Sequence, residues 1–399
     1  MSRATRPAPG PRTSPTPCAR PERETTDETL AICSLSALLL AGCGQGAGQK
    51  GDDQGDAAAP ALPAAMDRPA GDVLSARPEQ RAFRDWRAAC DNGAACFAFA
   101  PSSLPDQGWL RLALAPEAQA APRIAVGLWS PGAEGLAPTA PLTLTIDGRA
   151  FVTQRDPDAD LPVSQVEAAD APVVARALAA GRKAILSAGG QRVDLSLSGA
   201  AAALLWIDER QGRLETPGAL VRVGDRPAST RAPDLPRVTA APPADQAGFG
   251  DEDQTLPRTL EALPAVKACR QETAWNDYVQ KAVFSARLSA DRELWAVPCF
   301  AGAYNLGSAV YVTGPNGADP TPLAFPVAEG GTVDTVVNAA YDPATRSLSA
   351  FNKGRGVGDC GVAQRWVWNG RGFALAEQSE MRDCAGVPRD LWPSLWRSR

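Results

Sequence analysis

Two counts define the chemistry open to this chain: it has nine cysteines and no histidine among 399 residues. Histidine is the usual general base near neutral pH, so its absence excludes Ser-His and Cys-His nucleophiles and a histidine-ligated metal. Catalysis would have to use carboxylates, lysine, tyrosine or an unpaired cysteine. The sequence therefore favours a non-enzymatic protein without deciding the question, and it predicts no cofactor and no metal site.

Cys43 ends the motif Leu40-Ala-Gly-Cys43 and follows an apolar run that begins at Leu30. The run is too short to span a bilayer and has the length of a signal-peptide core. A small-residue cleavage site before a cysteine marks bacterial lipoproteins, whose new N-terminal cysteine carries membrane-anchoring acyl chains.

Acidic residues precede the apolar run, where a signal peptide normally has basic residues, and the alternative is a disordered N-terminus with a chance motif. We predict a lipoprotein-type signal peptide with an N-terminal extension over 1–42 and a lipid anchor on Cys43. Gly44 favours the outer membrane, facing the periplasm.

Six cysteines remain after Cys18, Cys33 and Cys43 are set aside: Cys90, Cys96, Cys269, Cys299, Cys360 and Cys384. An even number in an oxidising compartment predicts disulfides. Nearness in sequence suggests the pairs Cys90–Cys96, Cys269–Cys299 and Cys360–Cys384 among the other pairings that six cysteines allow. A metal site is the weaker alternative, because the chain has no Cys-x-x-Cys pair and no histidine.

The segment Gly354-Arg-Gly-Val-Gly-Asp-Cys-Gly361 is a candidate ligand loop, in which Arg355 and Asp359 would be the working groups. Its glycine spacing does not match the phosphate-binding pattern G-x-G-x-x-G, and no Gly-Lys-Ser/Thr follows it. A tight turn pinned by Cys360, with glycine supplying positive φ, is the favoured interpretation.

Two further clusters have both a functional and a structural interpretation. Asp208 and Glu209 offer adjacent carboxylates, but neighbours on a helix point to different faces, so a solvated helix end is favoured over an acid/base pair. The aromatic residues near the C-terminus could form a carbohydrate platform, whereas the alternation of Trp366 and Trp368 on a strand favours core packing. These aromatic residues are Trp366, Trp368, Phe373, Trp392 and Trp396.

The elements that must position these residues are mainly strands, so the predicted fold class is mainly β with a minor helical part, in two β-rich domains. In residues 81–225, apolar and polar residues alternate in short runs, and Asp147-Gly148 and Gly189-Gly190 predict hairpin turns. Helical patterns cover 172–180 and 200–211. We therefore predict a sandwich-like first domain with two short helices.

The remaining segments differ in composition. Residues 43–80 are rich in Gly, Ala, Pro and Asp, which predicts a flexible tether. Residues 226–257 contain six prolines and predict an extended linker. Residues 258–399 predict a second β-rich domain, stapled by two of the disulfides.

The net charge of −5 excludes the basic footprint of a nucleic-acid-binding protein. The tether has no polybasic segment, so membrane binding would depend on the lipid anchor. The predicted partners are therefore a membrane, through that anchor, and a protein or polymer of the envelope.

Several motifs are spread along the chain: Phe83-Arg-Asp-Trp86, Cys90-Asp-Asn92 with Cys96, the stretch from Ala202 to Arg213, Leu294-Trp-x-x-Pro-Cys299, Gly302-Ala-Tyr-Asn305, the segment Gly354–Gly361, Trp366-x-Trp368 and Trp392-Pro-x-Leu-Trp396. Together they resemble one proteobacterial envelope family, known as domain of unknown function 1176 (DUF1176). The resemblance implies an exported two-part protein, and it brings no catalytic residues because none are established for the family. The first domain alone is weakly similar to the periplasmic β-sandwich of the invasion-associated locus B type.

Three functions are compatible with these features. The favoured hypothesis is an envelope lipoprotein whose two β domains bind a protein or polymer without catalysis. The first alternative is a hydrolase or lyase of envelope glycans, which requires two carboxyl groups roughly 5–9.5 Å apart in a cleft. The second is a sensor that binds a small ligand between the domains.

Overall fold

The computed structural model describes residues 72–102, 108–128, 142–156 and 163–399, which belong to one compact unit, Met66–Arg399. The predicted signal peptide, the anchor Cys43 and the predicted tether as far as residue 71 lie outside the described residues. The described chain is mainly β, as the sequence predicts, and its sheets are almost entirely antiparallel. In this part of the chain, no helix has the length and apolarity that crossing a bilayer requires.

The first half of the described chain contains twelve strands and two helices. The strands are β1 (Asp72–Val73), β2 (Glu79–Phe83), β3 (Trp86–Cys90), β4 (Cys96–Pro101), β5 (Gly108–Leu114), β6 (Arg123–Leu128), β7 (Thr143–Ile146), β8 (Arg149–Arg155), β9 (Val163–Val166), β10 (Ala184–Ala188), β11 (Gln191–Leu195) and β12 (Thr230–Arg231). The helices are α1 (Ala171–Ala180) and α2 (Ala200–Arg210).

Strands β2 to β11 form one ten-stranded sheet in the order β11-β10-β7-β8-β9-β6-β5-β4-β3-β2. The two predicted hairpins are present, with Asp147-Gly148 between β7 and β8 and Gly189-Gly190 between β10 and β11. The sheet bends back on itself, because Ser102 after β4 bridges Leu195 on β11. Leucines and valines from both arms of the sheet enclose a first core with the inward faces of α1 and α2. This arrangement is the sandwich-like architecture that the alternating pattern predicts.

Strand β1 and the start of β2 lie within the predicted tether, 43–80. Strand β1 pairs in parallel with β12, and Leu74 is buried after it. The end of the predicted tether, from residue 72, therefore contains strand structure, because a short strand needs only a backbone partner and one apolar side chain to dock.

Residues 226–257, which the structure describes throughout, contain no helix and, after β12, no strand. The stretch is nevertheless attached to the second half of the chain. Val238 donates its N–H to the carbonyl of Arg399 (3.0 Å), and Ala241 donates to the carbonyl of Trp368 (2.9 Å). The Gln246 side chain both donates to and accepts from the backbone of Arg287 (2.9 Å each).

The second half contains three α-helices and twelve strands, besides two short 3₁₀ helices at Pro315–Gly317 and Arg389–Leu391. The helices are α3 (Arg258–Glu261), α4 (Pro264–Glu272) and α5 (Asp277–Lys281). The strands are β13 (Phe284–Ser289), β14 (Arg292–Ala301), β15 (Leu306–Thr313), β16 (Thr321–Pro322), β17 (Phe325–Pro326), β18 (Thr332–Val333), β19 (Thr335–Val337), β20 (Ala340–Asp342), β21 (Ser347–Lys353), β22 (Gly361–Trp368), β23 (Phe373–Met381) and β24 (Ser394–Arg397).

Two five-stranded sheets pack face to face in this half. One contains β13-β14-β15-β16 with β19 beside β15, and the other has the order β20-β21-β22-β23-β24. Side chains such as Leu294, Val310, Leu348 and Trp366 fill the second core between them. A further cluster joins the two halves, because Phe99 and Trp109 of the first sheet contact residues around Met381 and Trp392.

Three disulfides staple the described chain: Cys90–Cys96, Cys269–Cys299 and Cys360–Cys384. They are the pairs that nearness in sequence suggests. The first closes the turn between β3 and β4, the second ties α4 to β14, and the third ties the start of β22 to the segment after β23.

Candidate functional site

The loop between β21 and β22 carries the two predicted ligand residues, and they bind each other. Arg355 donates two hydrogen bonds to the Asp359 carboxylate, from Nε (2.7 Å) and from one terminal nitrogen (2.6 Å). Gly386 donates its N–H to the same carboxylate (2.7 Å), next to the disulfide of Cys360. Burial alone would raise the pKa of Asp359, but these hydrogen bonds outweigh it and the pKa is lowered. The arrangement is that of a closed turn, in which the charged groups are already paired.

The turn is also fixed from outside. Asn305 donates to the carbonyl of Lys353 (2.9 Å), and Tyr304 donates its hydroxyl to the carbonyl of Gly354 (3.2 Å). Gly361 has φ of +133°, and a Cβ there would lie 2.0 Å from the carbonyl oxygen of Asn352. The Gly302–Asn305 motif and the glycine-rich segment therefore act together as structure.

Asp208 corrects the expectation of a solvated helix end. Its side chain is fully buried, and its carboxylate accepts hydrogen bonds from the N–H groups of Leu220 (2.8 and 3.0 Å) and Val221 (2.9 Å). Burial raises its pKa, although the backbone hydrogen bonds act in the opposite direction. Glu209 is exposed, so the two carboxylates point apart and form no acid/base pair.

Arg213 is a buried structural residue that sequence reasoning missed. Its guanidinium donates to the carbonyls of Ala115 (2.9 Å) and Ala118 (3.2 Å) and thereby holds the segment between β5 and β6. Its Nε donates to the Gln211 side chain (2.8 Å), which is buried as well. The motif that follows α2 is therefore a buried polar network.

The C-terminal tryptophans do not form a carbohydrate platform. Trp366, Trp368 and Trp392 are each at most 3% exposed, and they belong to the hydrophobic cores. Buried indole N–H groups usually have a partner; Trp366 donates to the carbonyl of Pro326 (2.7 Å) and Trp392 to that of Val387 (3.0 Å), whereas the indole N–H of Trp368 has no partner among the described residues. Core packing is correct for these three rings, and only Trp396 among the tryptophans near the C-terminus remains half-buried.

A groove of about 990 Å³ lies on the face of the β20–β24 sheet that turns away from the second core. The pairing register arranges its floor in two rows across the strands. One row is Ser349–Arg365–Glu377, and the other is Phe351–Ala363–Ser379–Ser394. Leu235, Arg389, Asp390 and Trp396 also line the cavity, which we call the groove.

The composition of the groove suits an extended, polar ligand. Ala363, Ser379 and Ser394 are small, so they leave a trough between bulkier neighbours. Arg389 lies 5.4 Å from the centre of the Phe351 ring, where it forms a cation–π contact. Arg365 and Glu377 form an ion pair (2.5 Å) and have free hydrogen-bonding capacity toward a ligand. Aromatic surface, hydroxyl groups and charges of both signs are thus available along one face.

The groove offers little for metal chemistry. Within the described residues, no three cysteine, aspartate or glutamate side chains lie close enough to hold an ion. Its carboxylates include Glu377, which is exposed and paired with Arg365.

The groove could have been found in part from the sequence. Because successive residues on a strand face opposite sides, the alternation that buries Trp366 and Trp368 turns Arg365 and Ala363 to the other face. The pattern does not predict that β22 pairs with β23 and β23 with β24, because the residues of one strand do not determine its partners or its register.

Comparison with known proteins gives a family but no activity. The model of a family described as a protein of unknown function (DUF1176) matches residues 80–399. Among curated proteins, the chain is 29% identical over 345 residues to the uncharacterized protein YpfG of Escherichia coli (strain K12), covering 82% of this chain and 95% of that protein. No solved structure matches the chain. The matched region contains every strand from β3 onward, and therefore the whole groove.

Proposed function

This chain belongs to the DUF1176 family of proteins of unknown function, and we propose that it is a non-catalytic binding module of the bacterial envelope, whose groove holds an extended envelope polymer. The single observation that carries the proposal is the groove itself. It is a trough on the β20–β24 sheet, with small side chains in its floor and aromatic and charged groups around them.

The choice of a polymer follows from the shape and chemistry of this face. The volume of about 990 Å³ lies at the upper end of the range of small-ligand pockets, and the two rows of the floor cross several strands, as an extended ligand would. An extended chain with repeating polar units would contact both rows at once and reach the Phe351 ring. Because the sheet is fixed by its second core, binding would cost little ordering of the protein.

The envelope location is supported by two features of the chain. Three disulfides form in the described residues, and disulfides persist in oxidising compartments. The Leu40–Cys43 motif has the pattern of a lipoprotein signal. We propose that Cys43 is acylated and anchors the protein to the outer membrane. Mass spectrometry of the native protein should find Cys43 as the lipid-modified first residue, and Cys43→Ser should move the protein out of the membrane fraction.

Co-sedimentation of the purified mature protein with isolated insoluble cell-wall polymer tests the groove. Ser379→Trp places a large side chain in the row Phe351–Ala363–Ser379–Ser394. It should weaken binding by at least about tenfold, because the indole would fill the trough and block contact between the ligand and the floor. Val152→Trp is the matched control, because Val152 is 72% exposed on β8, outside the groove.

The thermal unfolding of both variants is measured first, so that a loss of binding can be separated from a loss of fold. Equal binding by Ser379→Trp and Val152→Trp would contradict the proposal. Release of soluble fragments from the polymer would instead favour the glycan hydrolase that the sequence left open.

A further inference from the structure

Arg111 is a charged residue placed inside an apolar interface. On β5 its neighbours Leu110 and Leu112 point into the first core, so Arg111 points to the opposite face of the sheet. That face packs against the cluster around Phe99 and Trp392, and Arg111 is only 8% exposed.

The guanidinium of Arg111 lacks the partners that such a position requires. Its Nε is buried and has no hydrogen-bond partner among the described residues. It stacks on the Phe97 ring with 5.0 Å between guanidinium carbon and ring centre. Burial, and then the nearby charge of Arg123, lower the pKa of Arg111 to about 10, whereas Asp390 raises it. A buried donor without a partner is costly, and it often marks the place of an ion or a water.

A cavity of about 230 Å³ lies at this guanidinium, lined by Arg111, Arg123, Ala125, Gln165, Asp390 and Leu391. The register explains the space. Ala125 is the residue opposite both Arg111 on β5 and Gln165 on β9, so a methyl group stands between two long polar side chains. The cavity is therefore walled by two guanidinium groups and an amide, all of which can donate hydrogen bonds.

We propose that this cavity binds an oxyanion, a carboxylate or phosphate group, between Arg111 and Arg123. Guanidinium groups present paired donors that match the oxygens of such groups, and their charge would compensate the two cations. The site is distinct from the groove, although Asp390 lines both cavities. A single carboxylate at the wall leaves one of the two arginine charges uncompensated.

The test is the thermal unfolding of the mature protein titrated with inorganic phosphate and, separately, with acetate, against chloride at equal ionic strength. A ligand that binds only the folded state raises the melting temperature in a saturable way. Arg123→Gln and Arg111→Met should weaken the apparent affinity by at least about tenfold, as expected for the loss of charge-assisted hydrogen bonds. Arg192→Gln, an exposed change on β11 away from the cavity, should bind like the unchanged protein.

The two anions distinguish a phosphate-bearing from a carboxylate-bearing ligand, and saturation by either supports the proposal. Because Arg123 is exposed, Arg123→Gln keeps the test decisive even if Arg111→Met disturbs the fold. Asp390→Asn should bind the anion more tightly, since it removes a negative charge from the wall. An equal rise in all variants, as a general salt effect gives, or no saturable rise in the unchanged protein, would overturn the proposal.

Discussion

Two sheltered carboxylates, Asp359 and Asp208, have pKa values shifted in opposite directions by their surroundings. Asp359 accepts from a guanidinium and a backbone N–H, which overcome its burial and lower the pKa. Asp208 accepts only from backbone N–H groups in a fully buried position, and burial raises its pKa. At Asp359 the donating guanidinium adds its charge to the hydrogen bonds, and together they reverse the direction that burial alone would give.

The lowered pKa of Asp359 predicts that its contribution to stability depends on pH. It is present above the unfolded value of 3.8 and is lost as pH falls through the lower folded value. Asp359→Asn should therefore reduce the free energy of unfolding by about 1.5–3 kcal/mol at pH 7. The difference from the unchanged protein should shrink below about pH 4, as Asp359 becomes protonated.

Urea unfolding at pH 7 and pH 3 measures both values. Asp194→Asn is the control, because Asp194 lies in an exposed pair with Lys183 (3.8 Å), and its effect should stay within about 0.5 kcal/mol. A cost for Asp359→Asn that is the same at both pH values would show that the charge of Asp359 is unimportant.

At the scale of elements, α2 depends on the glycine that precedes it. Gly199 has φ of +101°, and a Cβ there would lie 1.7 Å from the carbonyl oxygen of Phe83. Gly148, in a hairpin turn, also has positive φ (+85°) but has open space around it. The two positions share the backbone cost and differ in the steric one.

Gly199→Ala should therefore be more destabilising than Gly148→Ala. The positive φ alone should cost each variant about 1–2 kcal/mol. Gly199→Ala should add about 1–3 kcal/mol, because the strand end at Phe83 must move away from α2. Denaturant unfolding of both variants measures the difference. Equal losses in the free energy of unfolding would mean that the backbone at Phe83 moves away from residue 199 without an energetic cost.

The disulfides close loops of different length, so removing them should lower the free energy of unfolding by different amounts. Cys360–Cys384 spans 24 residues and Cys90–Cys96 spans 6. In the chain-entropy description, the double replacement of Cys360 and Cys384 by alanine costs about 3–4 kcal/mol, and that of Cys90 and Cys96 about 2–3 kcal/mol. Unfolding free energies of the two double variants test the order; the reverse order would locate the effect in local packing.

Local sequence signals predicted the elements better than their assembly. Short turns such as Gly189-Gly190 and the two helices follow from neighbouring residues, and the cysteine pairs follow from nearness. The groove does not, because it needs the register of four strands. Arg111 is also invisible to pattern analysis, since an arginine in an alternating strand is expected to face solvent.

At the scale of the whole molecule, the two halves are joined by polar contacts as well as by the shared apolar cluster. Asp91, which is fully buried, accepts from Nε of Arg397 (2.5 Å). Asn92 donates to the carbonyl of Arg397 and accepts from its N–H (2.8 Å each). The Cys90–Asn92 motif therefore extends the edge of β24, which links the first turn of one half to the last strand of the other.

This contact predicts an energetic coupling between residues 306 positions apart in the chain. A double-mutant cycle with Asp91→Ala and Arg397→Ala isolates this coupling. The cycle is needed because Asp91→Ala alone also leaves the N–H groups of Gly93 and Ala95 without their acceptor. Hydrogen bonds to a charged group contribute about 1.5–3 kcal/mol, but the Arg397 side chain is 41% exposed, so we expect a coupling of about 1–2 kcal/mol. Urea unfolding should also follow one transition in all four proteins, since the shared cluster ties the halves together. A coupling near zero, or two separate transitions in the unchanged protein, would mean that the halves are held only by the chain between them.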